Sequence, residues 1–396
     1  MKEKVKKFLK SQWNSIEYSL WRWWKNLTFG KVVWLLSPIW GSLLMLSFFL
    51  VPTMKGECGM EPGTIEYRVV GTTLHIEGEG AMDYFFFNKG STNEPPWWPW
   101  RLLVTRVKIS DGVTTIGSHA FEKFVSLRRV EVPDSVWMVD ASAFNGCKNL
   151  REFHGENVRY IFADAFSGCK RLNSVSLKTG DGTWGFLREN AFRGCENLKS
   201  YSGPESISIY DYAFYDCYKL KTVEFGRLNL IDNFAFTNCE SLRSFDLRNL
   251  RSYPNDDGSG EYIRLGRSVF MNCKSLEYVD LHPLMTEIPR SMFCSCNKLK
   301  EIVIPDNVTE IGDIAFYECW SLTNVELPEG LNSIGEQAFF ACTKIQEITL
   351  PENISSVNRD AFASWKKQQT VRVPSLDLFP GGLYNSDAVL VCYGNS

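Results

Sequence analysis

Nine of the twelve cysteines in this 396-residue chain occupy one repeated position, three residues after a phenylalanine: Cys147, Cys169, Cys195, Cys217, Cys239, Cys273, Cys296, Cys319 and Cys342. Cysteine at that density could bind metal, form disulfides or carry redox chemistry. Metal centres gather ligands at short spacings such as C-x2-C, and one cysteine every twenty-odd residues does not supply that. Stacked at the strand spacing of about 4.8 Å, the sulfurs would come within disulfide reach, but side chains on a parallel ladder point the same way, which is poor bridging geometry. The same position holds Phe124 in the first unit and Trp365 in the last, so the slot reads as a column of buried thiols. So many thiols suit a reducing compartment unless burial protects them. Cys58, Cys294 and Cys392 lie off the column and are the candidates for reaction. His75, His119, His154 and His282 fall in separate units with no His-x-x-x-His or Glu-x-x-His pairing. No phosphate-binding glycine loop and no G-x-S-x-G elbow is present. The chain is therefore read as a non-enzyme, with no catalytic residue, metal or cofactor assigned.

These cysteines belong to a repeat seen most cleanly as LKEIVIPDNVTEIGDIAFYECWS followed by LTNVELPEGLNSIGEQAFFACTK. Its phenylalanine anchor recurs at Phe121, Phe144, Phe166, Phe192, Phe214, Phe236, Phe270, Phe293, Phe316, Phe339 and Phe362, with spacings of 23, 22, 26, 22, 22, 34, 23, 23, 23 and 23. A period of 20 to 29 residues with an L-x-x-L-x-L core is the signature of a leucine-rich solenoid. Alternating residues such as Ile302 and Ile304 point inward from a short strand, and the proline that follows (Pro133, Pro305, Pro328, Pro351) ends the ladder. The expected fold is a β-rich leucine-rich repeat solenoid over 103–373, with short helical turns, eleven units of about 23 residues and a single N-terminal transmembrane helix.

The termini are expected to differ. Residues 1–31 carry eight Lys/Arg against Glu3 and Glu17, a local +6 inside a total of -3, so the rest of the chain is acidic. Segment 32–54 contains a charge-free run from Val32 to Val51, long enough to cross roughly 30 Å of hydrocarbon as a signal anchor. Positive-inside logic puts the N-terminus in the cytoplasm and the repeats outside. Residues 56–102 read as a β cap: Ile65, Tyr67 and Val69 alternate, as do Leu74 and Ile76, around Gly71-Thr72. Trp97, Trp98 and Trp100 either seal that end or form a carbohydrate-stacking platform. Residues 374–396, with an apolar strand from Ala388 to Tyr393, would cap the other end.

The outward positions of the strand motif are where a partner would bind. Glu224, Asp246, Tyr278, Asp280, Glu301, Glu326 and Glu347 make the later part of that face acidic and suited to a basic partner. Two insertions interrupt the register. One includes Asp256, Asp257, Glu261 and Tyr262, a candidate binding loop that lacks the D-x-[DN]-x-[DN]-G spacing of a calcium site. The other, Lys178 to Phe186, exposes Trp184.

The phrases IPDNVTEIGDIAFYEC and LPEGLNSIGEQAFFAC, together with CGMEPGTIEYRVVGTTLHIEGEGAMDY before the repeats, resemble the BspA-like leucine-rich repeat family over residues 58–373. The resemblance implies an exported, surface-type solenoid of the adhesin or receptor kind, with no shared catalytic residues. The expectation is a membrane-anchored protein binding a protein or a glycan, and not nucleic acid. The alternative is a structural spacer or self-assembling envelope component.

Overall fold

The computed structural model describes residues 54–86, 93–177, 184–254 and 260–393. They wind into a β-solenoid of about twelve coils, the eleven with a phenylalanine anchor preceded by one built from Thr73–Gly78 and Gly80–Ala81. Each coil contributes two short strands to two parallel sheets. The first sheet collects the L-x-x-[VI]-x-[LI] strands: Thr73–Gly78 pairs with Arg106–Ile109 and that with Arg129–Glu131, and the motif continues to Glu347–Thr349, Thr370–Val373 and Val389–Cys392. The second sheet collects the strands that run into the anchor turn, from Gly80–Ala81 to Arg227–Ile231 and again from Glu287–Ile288 to Ser356–Val357. Between these stretches the 34-residue unit has no strand in the second sheet and continues it by the isolated bridges Leu228–Leu250 and Ile231–Leu265.

The third side of each coil corrects the sequence expectation, which placed short helical turns there. Left-handed backbone recurs two residues before and two after most anchors, for example at Asp164 (φ 57) and Gly168 (φ 69) around Phe166, and at Ile314 (φ 49) and Glu318 (φ 57) around Phe316. No α-helix of L-residues passes through such positions. The alternation turns every second amide toward the next coil: the N–H groups of Asp164, Phe166 and Gly168 donate to Glu189, Ala191 and Arg193 at 3.0, 2.8 and 2.7 Å. Amides in between close three-residue turns within the coil, as Cys169 does on Phe166 at 3.1 Å. This segment is thus a third inter-coil ladder without strand geometry, and it gives these buried backbone groups the partners that burial demands. Among the described residues the only helical segments are two three-residue 3-10 turns, Trp98–Trp100 and Leu376–Leu378, both outside the repeats.

The expected transmembrane helix is corrected as well. No helix among the described residues is long and apolar enough to cross a membrane. Met54, which ends the predicted span 32–54, opens the β-strand Met54–Glu57. The remainder of that span, and the basic segment 1–31, lie outside the described residues.

Inside the coils the eleven anchor rings are fully buried and stack in one file, each 5.1–5.9 Å from the next and within 20° of parallel. The small residue before each anchor, usually alanine, makes room for the ring of the neighbouring coil. Trp97 extends the file: it is buried, stacks on Phe121 at 5.8 Å, and its indole N–H donates to the Ala120 carbonyl at 2.7 Å. It is therefore part of the seal, and the hairpin Ile65–Val70 with Thr73–Gly78 closes the same end as expected. At the other end Val389–Cys392 joins Thr370–Val373 as one more parallel strand.

One core position carries a mismatch. Tyr201 sits where other coils place Phe153 or Phe245, and its buried hydroxyl has no hydrogen-bond partner. Its replacement by phenylalanine removes a desolvated polar group without opening a cavity of consequence. Tyr201→Phe should raise stability by about 1 kcal/mol, read as a higher midpoint in chemical denaturation; a lower midpoint would mean that the hydroxyl is satisfied.

Candidate binding surface

The cysteine column is placed by the anchor file. Each of the nine thiols is fully buried and donates to the carbonyl of the anchor phenylalanine one coil earlier, as Cys147 does to Phe121 at 3.0 Å, Cys195 to Phe166 at 3.2 Å and Cys342 to Phe316 at 3.1 Å. That carbonyl also accepts the amide N–H three residues on, so the thiol occupies its second lone pair. In the last coil Trp365 takes the slot and its indole N–H donates to Phe339 at 2.8 Å. From the second unit onward the slot therefore holds a buried side chain with a donor, which a purely apolar reading of the Cys/Trp exchange misses. Burial pushes all nine thiols well above the ordinary thiol range. No disulfide joins any of the twelve cysteines. Of the three off-column residues, Cys58 is buried and pushed up to about 12 by burial and by Asp83 and Glu66, Cys294 is half-buried, and Cys392 is exposed. Among the described residues no group of three or more His, Cys, Asp or Glu could hold a metal ion.

The outward face of the first sheet carries the residues predicted to bind. Register places Asp246 opposite Asp280 and Ser244 opposite Tyr278, and further along it places Glu301 opposite Asn324 and Val303 opposite Glu326. Tyr278 is exposed, with the Lys300 ammonium 5.3 Å from its ring centre. Around it Asp280, Glu301, Val303, Asp306 and Asn307 line a hollow of about 500 Å³. A neighbouring hollow of about 550 Å³ is lined by Glu326, Glu329, Glu347, Glu352 and Tyr393. Neither is lined by a basic residue. Glu329 and Glu352 help to hold the Tyr393 hydroxyl above its ordinary value, after the effect of burial.

Not every predicted acid is available. Asp246 accepts three hydrogen bonds from Arg248, which hold its carboxyl below the usual range, and Arg248 also reaches Asp280 at 3.2 Å. Glu347 pairs with Arg372 at 2.8 Å. Glu224 is exposed but stands two coils before the first hollow. The first hollow and the outward ends of the second thus bring Tyr278, Asp280, Glu301 and Glu326 together and leave Asp246 and Glu224 aside.

The candidate loop resolves in part. Ser252–Pro254 and Glu261–Ile263 form an antiparallel hairpin, with Tyr262 exposed and its ring 5.9 Å from Tyr253. Asp256 and Asp257 lie outside the described residues, as do residues 178–183 of the other insertion. At the hairpin base Arg227, Arg248, Arg251, Asn249 and Glu205 line a further hollow of about 820 Å³ that the sequence reading did not single out. The R-x-x-R spacing of Arg248 and Arg251 was its visible sign. Trp184 is exposed beside Tyr160 at 5.5 Å, at the start of the second-sheet strand Trp184–Leu187.

Parallel coils with a repeated leucine-rich strand and polar outward columns define a leucine-rich repeat solenoid. The chain belongs to the BspA-type leucine-rich repeat family: six copies of that repeat region match over residues 101–183, 182–256 and 263–381, more than half of the chain. Leucine-rich repeats of this kind are in general binding scaffolds rather than catalytic centres. No curated protein matches the chain. Among solved structures it is similar to a leucine-rich repeat protein from Eubacterium ventriosum, at 15% identity over 85% of this chain and 95% of that one, TM-score 0.41. It is similar also to one from Bacteroides ovatus, at 22% identity over 76% and 94%, TM-score 0.40. A leucine-rich cell surface protein from Faecalibacterium prausnitzii gives 22% identity over 73% and 94%, TM-score 0.35.

The thiol column makes stability sensitive to alkali. The unfolded chain releases thiol protons above about pH 8.5, whereas the folded chain keeps them, so the column's contribution is complete below that pH and is lost as the pH rises. Each thiol adds a slope approaching about 1.4 kcal/mol per pH unit. Replacing Cys195 and Cys217 by valine should flatten the decline between about pH 8.5 and 10.5 by about two protons' worth, measured as denaturation midpoint against pH. An unchanged slope would mean that these thiols titrate in the folded protein.

Proposed function

We propose that the chain is a binding protein rather than an enzyme, acting outside the cytoplasm, and that the acidic half of its first sheet takes a basic segment of a partner protein. The observation that carries this reading is the pair of neighbouring hollows with no basic residue among their linings, in which Glu301, Asp306, Glu326, Glu329 and Glu352 form no ion pair among the described residues, while Asp280 and Glu347 are already held by Arg248 and Arg372. A cleft lined by one sign of charge concentrates the opposite sign and speeds its capture. Tyr278 and Val303, exposed at 47% and 82%, add apolar contact at the centre of the first hollow. An aromatic anchor among charges is the pattern from which interface hot spots are built.

Surface binding by this chain is tested with an arginine- and lysine-rich peptide as the probe. Affinity should fall as salt rises, and Glu301→Lys with Glu326→Lys should cost at least about tenfold by removing attraction and adding repulsion. Tyr278→Ala should slow capture little and speed release. Equal binding by the double variant would remove the acidic face from consideration. Location is tested separately: protease added to intact cells should digest the repeats, and full protection would place them on the other side of the membrane.

A further inference from the structure

A second charged feature runs beside the first sheet, at the position just after the repeat leucine. In successive coils it holds Arg128, Arg151, Asn173, Lys199, Lys221 and Arg243, all exposed except the half-buried Asn173. Their backbones are bonded coil to coil: Arg151 N–H donates to Arg128 at 3.3 Å, Asn173 to Arg151 at 2.8 Å, Lys199 to Asn173 at 2.9 Å and Lys221 to Lys199 at 2.9 Å. From Arg128 to Lys221 the side chains therefore follow one another at the strand spacing of about 4.8 Å; Arg243 holds the same position one coil on, where the strands Thr222–Glu224 and Ser244–Asp246 belong to separate sheets. None of the five basic residues forms an ion pair among the described residues. Further along the same column stands Glu277, and there Lys300 reaches across one coil to pair with it at 2.6 Å. Lys170 with Glu196 and Lys274 with Glu240 pair across a coil in the same way, at 2.6 and 2.7 Å. The coil spacing thus suits a carboxylate held between basic residues of adjacent coils, and from Arg128 to Arg243 the column offers no such carboxylate.

We propose that this basic column is a docking track for a linear acidic polysaccharide, whose anionic groups fall in succession between Arg128, Arg151, Lys199, Lys221 and Arg243. The surroundings favour a glycan over other polyanions. An acidic peptide that adds itself as a strand needs an open sheet edge, and from Arg128 to Lys199 the backbone is already bonded to the coils on both sides. A single-stranded nucleic acid needs aromatic platforms for its bases, and the column contains none. An acidic polysaccharide requires only charge at regular intervals on an extended surface. The track lies in the N-terminal half of the repeats and shares no residue with the acidic hollows, so the two surfaces stand or fall separately.

The test uses the purified full-length chain with heparin and polygalacturonate as probes, titrated between about 50 and 200 mM salt, where binding driven by counterion release is steeply salt-dependent. Arg151→Glu, Lys199→Glu and Lys221→Glu together should weaken binding at least about tenfold and lower the salt slope by about three. A matched control, Lys274→Glu, Lys298→Glu and Lys344→Glu, changes net charge equally and should keep affinity within about twofold. Residues 1–31 carry their own positive charge, which is the same in every variant, so the comparison between variants is decisive. The corresponding glutamine substitutions, with thermal midpoints compared, separate loss of charge from loss of fold. Equal weakening by the control, unaltered binding by the track variant, or tighter binding of polyglutamate or single-stranded DNA than of either polysaccharide would each overturn the proposal.

Discussion

The carbonyl of each anchor phenylalanine from Phe121 to Phe339 accepts two hydrogen bonds, one from the amide three residues on and one from a side chain in the next coil. That double acceptance ties the turn within a coil to the stacking between coils. The first bond closes the bend that carries the ring inward, and the second fixes how the next coil must sit for its own ring to stack. A buried carbonyl with a vacant lone pair costs little alone, but along eleven coils a uniform donor turns a tolerance into a register. Cysteine suits the position because its thiol is a donor on an otherwise apolar side chain. Trp365 shows that sulfur is not required where an earlier anchor carbonyl is there to be met, and Phe124, in the first unit with no earlier anchor, carries no donor at all.

Much of this was legible in the residues. The anchor spacing fixed the coil boundaries, the cysteine column was readable as buried, and the hairpin around Gly71 and the strand near Val389 stand where alternation placed them. The helical turns did not survive, for a physical reason that residue types disguise. Asp164, Tyr212, Phe234 and Ile314 all adopt left-handed backbone, although only glycine or asparagine would announce it from sequence. A ladder with another coil holds them there, and that ladder is a tertiary fact. The candidate face was legible as a list of outward acids but not as a site. Which of them are already engaged depends on a turn that brings Arg248 back over the sheet and on the register that sets Arg372 on the strand beside Glu347. The basic column went unnoticed because the residue after each leucine is unremarkable in any single unit and gains meaning only when coils align.

Charge on this solenoid is ordered in two ways at once. Along the axis, the outward face of the first sheet passes from Arg106 and Arg129 to the acids around Tyr278 and Glu326. Across it, one flank carries basic residues after five of the first six repeat leucines, while the proline turns of the later coils carry Asp306, Glu329 and Glu352. A net charge of -3 hides both gradients. Composition describes the sum of such a surface and says little about what it can attract.

The 34-residue unit shows where novelty can enter. Its extra residues emerge between the two sheets as the hairpin Ser252–Pro254 and Glu261–Ile263, while Phe236 still stacks on Phe270 and the Cys273 thiol still reaches the Phe236 carbonyl at 3.3 Å. Growth on that side leaves the file of rings unbroken, whereas a single residue added between an anchor and its cysteine would break it. The fold thus separates a conserving side from an experimenting side. A lineage of such chains can add whole coils to change reach, or lengthen one proline-side loop to change what is grasped, without either alteration disturbing the other.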